Sequence, residues 1–247
     1  MKSHKKDKMS PLSLPFSIFK LHPKALLLEW NQKPSRKLLF EIITFKAELE
    51  IKLEGVSQIT MGYHSLLIEW NVKVLSKNFM YSTLSIIYFS IDYTKPTYNR
   101  HWKIPVCYED EFAQDLERLS QELYLSPQQV IEIHSRGIYW VYFIGFLPGF
   151  LYLEGLDSKL FFPRKNRPVL KVPKGSVAIG GNQTGIYPNL SPGGWHIIGK
   201  TPVALFDPKK KPYCFAKSGD TLSFEAISKM EFENIEKKIT EGSFTLA

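Results

Sequence analysis

The sequence predicts an α+β protein, a small ββαββα sandwich followed by an all-β barrel or sandwich. Three observations carry this. Strand-like and helix-like periods alternate from Phe16 to Ser90. Turn formers then crowd together, with twelve of the 15 glycines and nine of the 16 prolines between Gly137 and Gly219. Between those turns lie short β-rich runs, and no helical period returns before about Lys229.

The elements follow in order. Residues 1–14 are basic, and Pro11 breaks any signal-peptide core, so they read as a disordered leader. Phe16–Leu21 and Ala25–Trp30 form a strand pair around His22-Pro23-Lys24. Leu38, Leu39, Ile42, Ile43, Phe45 and Leu49 recur at helical spacing, and Gly55 ends that segment. Val56–Met61 and Ser65–Trp70 make a second hairpin, and Val74–Ile91 leans to a second helix. These make a first domain over 15–92, with helices on one face of an antiparallel sheet.

Residues 93–103 are polar, carry Pro96 and read as a linker to a second domain over 104–247. Ile104–Tyr108 is a short strand. Phe112, Leu116, Leu119 and Leu123 mark a helix face. Ser126-Pro127-Gln128-Gln129 opens the next helix with Ser at the N-cap, Pro at N1 and a capping-box Gln. Tyr139–Ile144, Ser176–Ile179, His196–Ile198, Val203–Phe206 and Thr221–Phe224 then read as strands.

Composition narrows the function. The net charge is +8, and 44% of residues are hydrophobic. No apolar run is long enough to span a membrane, and a cytoplasmic location is expected. Two cysteines and six scattered histidines give no metal-ligand spacing. Nucleic-acid motifs, a Walker loop, GxGxxG and GxSxG are all absent. Gly180–Gly185 is glycine-rich enough to form a backbone nest for an anion. Arg164, Lys165, Arg167, Lys171 and Lys174 fall in a stretch, residues 158–206, without a single acid. That pattern fits an anion-binding rim or an acidic partner as well as a solvated loop.

The candidate site residues come from this region. Arg164 offers a bidentate fork for carboxylate or phosphate, and Gln183 and Thr184 offer neutral donors and acceptors. Tyr187 and Trp195 give apolar walls with a polar tip. Ser191, His196 and Thr201 complete the polar set, with Arg167 and Phe150 as further contacts. His134 lies on the apolar side of a helix, where a core histidine and a catalytic one are the competing readings.

The segments GFLPGFLYLEGLD, VPKGSVAIGGNQTGIYP and SPGGWHIIGKTP resemble the signatures of the 5-oxoprolinase B-component (PxpB) family. That family is also known as KipI or allophanate hydrolase subunit 1, the carboxyltransferase subdomain C/D group. IPVCYEDEFAQDLERLS and LSPQQVIEIHS resemble it too. The resemblance implies an N-terminal α+β domain and a cyclophilin-like barrel. It also implies two partners, an A-type protein and a C-type protein like allophanate hydrolase subunit 2. The implied assembly uses ATP to open 5-oxo-L-proline to L-glutamate. Relatives of this kind also serve in urea processing or inhibit a sensor kinase. In the enzyme reading the developing lactam charge needs preorganised donors. Arg164, Gln183, Thr184 and His134 are then the catalytic candidates, and Tyr187, Ser191, Trp195, Arg167 and Phe150 the contacts to a small anionic substrate. This chain departs from the family pattern at Leu151, Val169 and Lys174.

Overall fold

The computed structural model describes residues 13–73, 77–94 and 99–246. The leader expectation falls mainly on residues 1–12, outside the described ones, as do residues 95–98 of the expected linker. The chain divides into two compact units, Met1–Pro96 and Thr97–Ala247.

In the first unit β1 (Phe16–His22), β2 (Ala25–Trp30), α1 (Arg36–Lys52), β3 (Val56–Met61), β4 (Ser65–Trp70) and α2 (Lys77–Phe89) follow the expected ββαββα order. The antiparallel sheet runs β1-β2-β4-β3. Ser35 caps α1 by accepting from the Leu38 N–H at 3.2 Å. The helix then buries Leu38, Ile42, Phe45 and Leu49 against Leu26, Leu28, Leu66 and Ile68 of the sheet. Each such side chain contributes roughly 1.5–3 kcal/mol on burial.

This unit is built twice. Leu26–Asn31 (LLLEWN) and Leu66–Asn71 (LLIEWN) pair across its centre, with Leu26 opposite Ile68 and Leu28 opposite Leu66. The Trp30 N–H donates to His64 O and the Trp70 N–H to Lys24 O, at 2.8 and 2.9 Å. The repeat is the sequence trace of a two-fold relation between the β1β2α1 and β3β4α2 halves. Glu41 breaks the symmetry, because a single carboxylate oxygen accepts from Trp30 Nε1 at 2.7 Å and from the Tyr88 hydroxyl at 2.6 Å.

The second unit holds β5 (His101–Cys107), α3 (Leu116–Glu122), α4 (Pro127–Arg136), β6 (Tyr139–Ile144), β7 (Leu151–Glu154), β8 (Val169–Val172), β9 (Ser176–Gly180), β10 (Gln183–Ile186), β11 (Ser191–Gly193), β12 (His196–Lys200), β13 (Thr221–Ile227) and α5 (Lys229–Thr240). Seven strands close a barrel in the order β10-β7-β6-β13-β5-β12-β9, while β8 and β11 form a separate ribbon. Val141, Leu153, Val177, Ile179, Ile186, Ile198 and Phe224 share its core with Leu119 of α3 and Val130 of α4. The capping box of Ser126 and Gln129 forms as expected.

Three expectations need correction. The first barrel strand begins at His101, inside the expected linker, because Thr221–Ser223 pair in parallel with His101–Lys103. Phe112 precedes its helix and stacks on Phe232 of α5, at 4.6 Å between ring centroids. Val203–Phe206 is not a strand. Its backbone turns away, the Thr201 hydroxyl accepts from the Val203 N–H, and only Phe206 makes a bridge, to Cys214.

Candidate functional site

A cleft of ≈ 370 Å³ opens on the outer wall of the barrel. It exists because successive residues of a strand face opposite ways. Val177 and Ile179 of β9 point inward, whereas Ala178 joins an outer cluster of Phe150, Val172, Tyr187, Trp195 and Ile197. Gly180 and Gly185 leave room for the Trp195 indole; a Cβ on Gly185 would come within 2.9 Å of the ring. Gly193 does the same for Tyr187, whose hydroxyl fills the space a side chain there would need. Phe150 meets Tyr187 and Trp195 edge-on, with centroids 5.5 and 5.6 Å apart. Phe146 closes the mouth from the β6–β7 turn, held in the left-handed region at φ 67. A non-glycine residue there stores strain.

Charge enters on a strap, residues 162–165, pinned at four points. Phe162 and Gly181 exchange backbone hydrogen bonds at 3.0 and 2.7 Å. His196 Nε2 donates to Pro163 O at 2.9 Å, and its Nδ1 accepts from Arg118 at 3.1 Å. The Lys165 N–H donates to Gly194 O at 2.7 Å. Lys165 Nζ reaches Asp115 at 2.6 Å, and the same carboxylate oxygen accepts the Ile197 N–H at 2.8 Å. The strap therefore fixes Arg164, whose guanidinium lies 5.5 Å from the centre of the Trp195 ring. Arg164 forms no ion pair among the described residues. Burial pushes the Tyr187 phenol up, partly offset by the Trp195 backbone and the Arg164 charge. Burial likewise lowers the His196 imidazole, offset by its bond to Pro163 and by the Asp115 charge.

The structure brings Arg164, Phe150, Tyr187 and Trp195 together in this cleft. It does not bring His134 or Thr184 there. Both are fully buried. Thr184 Oγ1 donates to Ala178 O at 3.1 Å and so accepts from His134 Nε2 at 2.9 Å. That assignment leaves His134 Nδ1 to accept from the Tyr108 hydroxyl at 2.8 Å. The ring stacks on Phe224, and burial lowers its pKa to about 3. This is a neutral, fully bonded core histidine, and neither His134 nor Thr184 lines the cleft, where the sequence reading had grouped them with Arg164. Gln183 opens β10 opposite Gly180, away from the cleft lining. Ser191 turns its hydroxyl to Pro192 O at 3.2 Å. Arg167 is exposed beside Pro168, which does line the cleft. The anticipated nest at Gly180–Gly185 is closed, because the segment pairs as a hairpin and the Gly181 N–H is taken by Phe162 O.

The family model described as carboxyltransferase domain, subdomain C and D, matches residues 16–216. The chain belongs to that family. It is 48% identical over 130 residues to the B component of 5-oxoprolinase from Bacillus subtilis (strain 168). That match covers 53% of this chain and 54% of the relative, so the likeness spans about half the length of the curated protein. The crystal structure of the conserved uncharacterized protein PH0987 from Pyrococcus horikoshii is similar over 87% of this chain and all of that one, at 37% identity and a TM-score of 0.53. The crystal structure of TTHA0988 is similar over 83% of this chain and 40% of its own, at 30% identity and a TM-score of 0.71.

In this carboxyltransferase C/D member, residue types alone did not reveal Lys165, Asp115 and His196 as the scaffold of the cleft. Lys165 lay in the basic run, but its partner is 50 positions away in sequence. Phe146 and Tyr152, both within the GFLPGFLYL segment, line the cleft as well.

Proposed function

We propose that this chain is one component of an ATP-dependent 5-oxoprolinase, acting with an A-type and a C-type partner protein in the cytoplasm to open 5-oxo-L-proline to L-glutamate. The observation that carries the reading is the 48% identity to the B component of a 5-oxoprolinase. The cleft agrees with it. 5-Oxoproline is a small flat ring bearing one carboxylate, and the cleft offers an aromatic box with one unpaired guanidinium at its edge. In this reading Arg164 takes the carboxylate as a charge-assisted pair, Phe150 and Trp195 hold the ring, and the Tyr187 hydroxyl faces its polar edge.

The Gly180–Gly185 turn is closed by its own hairpin and by Phe162, so it offers no free backbone cradle for a triphosphate. In this reading the ATP that drives the reaction is held by the partner proteins.

The test is reconstitution of the full chain with an A-type and a C-type partner, followed by 5-oxoproline-dependent ATP hydrolysis. Activity is expected only with all three present. Arg164→Ala should lower kcat/KM about 10–100-fold, the worth of one charged hydrogen bond, with the unfolding midpoint unchanged. A complex that forms yet hydrolyses no ATP with 5-oxoproline overturns the reading.

A further inference from the structure

The ribbon of β8 and β11 borders the cleft through Pro168, which precedes β8, and Pro192 and Gly193 of β11. Strand β8 pairs with β11 on one side only. Among the described residues no backbone hydrogen bond reaches its other edge. An unpaired edge is a template for another strand, and proteins usually blunt it with charge or a covering element. Here the middle of the edge instead shows Leu170, 80% exposed, next to Val169 at 38%.

The surroundings are one-signed. Arg164, Arg167, Lys171 and Lys174 make no ion pairs among the described residues, and no acid occurs from residue 158 to 206. Asp115 is brought in from outside that stretch, but it is already committed to Lys165. The free cations are thus left to something acidic that does not belong to this stretch.

We propose that the open edge of β8 captures an extended acidic segment of a partner protein, which adds to the ribbon as a third strand. Main-chain bonds to Val169–Val172 supply affinity. Carboxylates on the segment meet Arg167, Lys171 and Lys174, and an alternate apolar side chain enters the aromatic cleft past Pro168. The open edge and its charge do not depend on the 5-oxoprolinase reading, and edge capture survives if the enzyme assay fails.

The test uses the full chain and a fluorescein-labelled heptapeptide, acetyl-Glu-Val-Glu-Phe-Glu-Val-Glu-amide. Fluorescence anisotropy should give a Kd on the order of 10–100 μM, weakening severalfold between about 50 and 500 mM salt, because added salt shortens the Debye length and screens the exposed charges. The same peptide N-methylated at alternate residues lacks the donors for the edge and should bind at least about tenfold more weakly. A lysine-for-glutamate version should not bind. Lys171→Glu and Leu170→Ser, both at exposed positions, should each weaken binding severalfold, and amide exchange should slow at residues 169–172. Equal binding of the N-methylated peptide, unchanged exchange at those amides, or no binding of the acidic peptide overturns the proposal. So does tighter binding of an oligouridine, or self-association of this chain that shuts the peptide out.

Discussion

On the inner face of β10, Thr184 is locked between Ala178 O and His134; one residue on, Gly185 faces outward beneath Trp195. The two faces of one hairpin carry opposite kinds of polarity. Inside, every polar atom of the Tyr108–His134–Thr184 chain has its partner, and burial holds the imidazole neutral. Outside, a guanidinium is held over an aromatic ring with no ion-pair partner among the described residues. A buried network with all its bonds made is structural, whereas a fixed cation left unpaired at a cavity is what a ligand site requires. Polar residue types do not separate the two; the side of the strand they occupy does.

Three changes would break or sharpen that contrast. The largest effect is expected from His134→Ala. It strands the Tyr108 hydroxyl and opens a cavity, and should cost on the order of 4 kcal/mol in chemical unfolding. Surviving molecules should keep the cleft and its ligand affinity. Normal stability with lost affinity would place His134 in the site after all.

Next is acid. With its folded pKa near 3, below the ordinary 6.5, His134 takes up its proton more readily when unfolded. The native state therefore loses stability as pH falls from about 6.5 towards 3, on the order of 2 kcal/mol between pH 7 and 5. His196, lowered in the same direction, adds to this loss. His134→Gln should flatten the slope of unfolding free energy against pH. An unchanged slope would mean that the acid sensitivity lies elsewhere.

The smallest effect tests the outer wall. Asp115→Asn removes the partner of Lys165, in a pair whose side chains are only 15% and 14% exposed. It should cost about 1–2 kcal/mol of stability. In the reconstituted complex it should raise the KM for 5-oxoproline severalfold with kcat nearly kept, because Arg164 loses its mount but not its charge. A fall in kcat with KM unchanged would instead give Asp115 a direct part in the chemistry.

Much of the fold was legible. The helical spacing of Leu38 to Leu49, the Ser126-Pro127-Gln129 start and the two hairpins of the first unit all formed where local pattern put them. The forty-residue echo of LLLEWN in LLIEWN is present in the sequence, but it took the pairing of β2 with β4 to give it meaning. Val203–Phe206 misled because an apolar run after Pro202 looks like a strand, but pairing is decided by neighbours that the run does not contain. Of the site, Arg164, Phe150, Tyr187 and Trp195 could be singled out by type. His134 and Thr184 could not be sorted from them, since the same hydroxyl or imidazole suits a core or a cleft.

By itself, then, the sequence determined the local elements, the crowding of turns and the acid-free basic stretch, because propensity, capping and charge are properties of neighbouring residues. Tertiary structure alone decided which way each residue of β9 and β10 faces. It also decided that Asp115, far from the basic run in sequence, neutralises Lys165 and leaves Arg164 free. Those outcomes depend on barrel closure, which sets strand against strand and fixes inside from outside, and no stretch of chain encodes that closure alone.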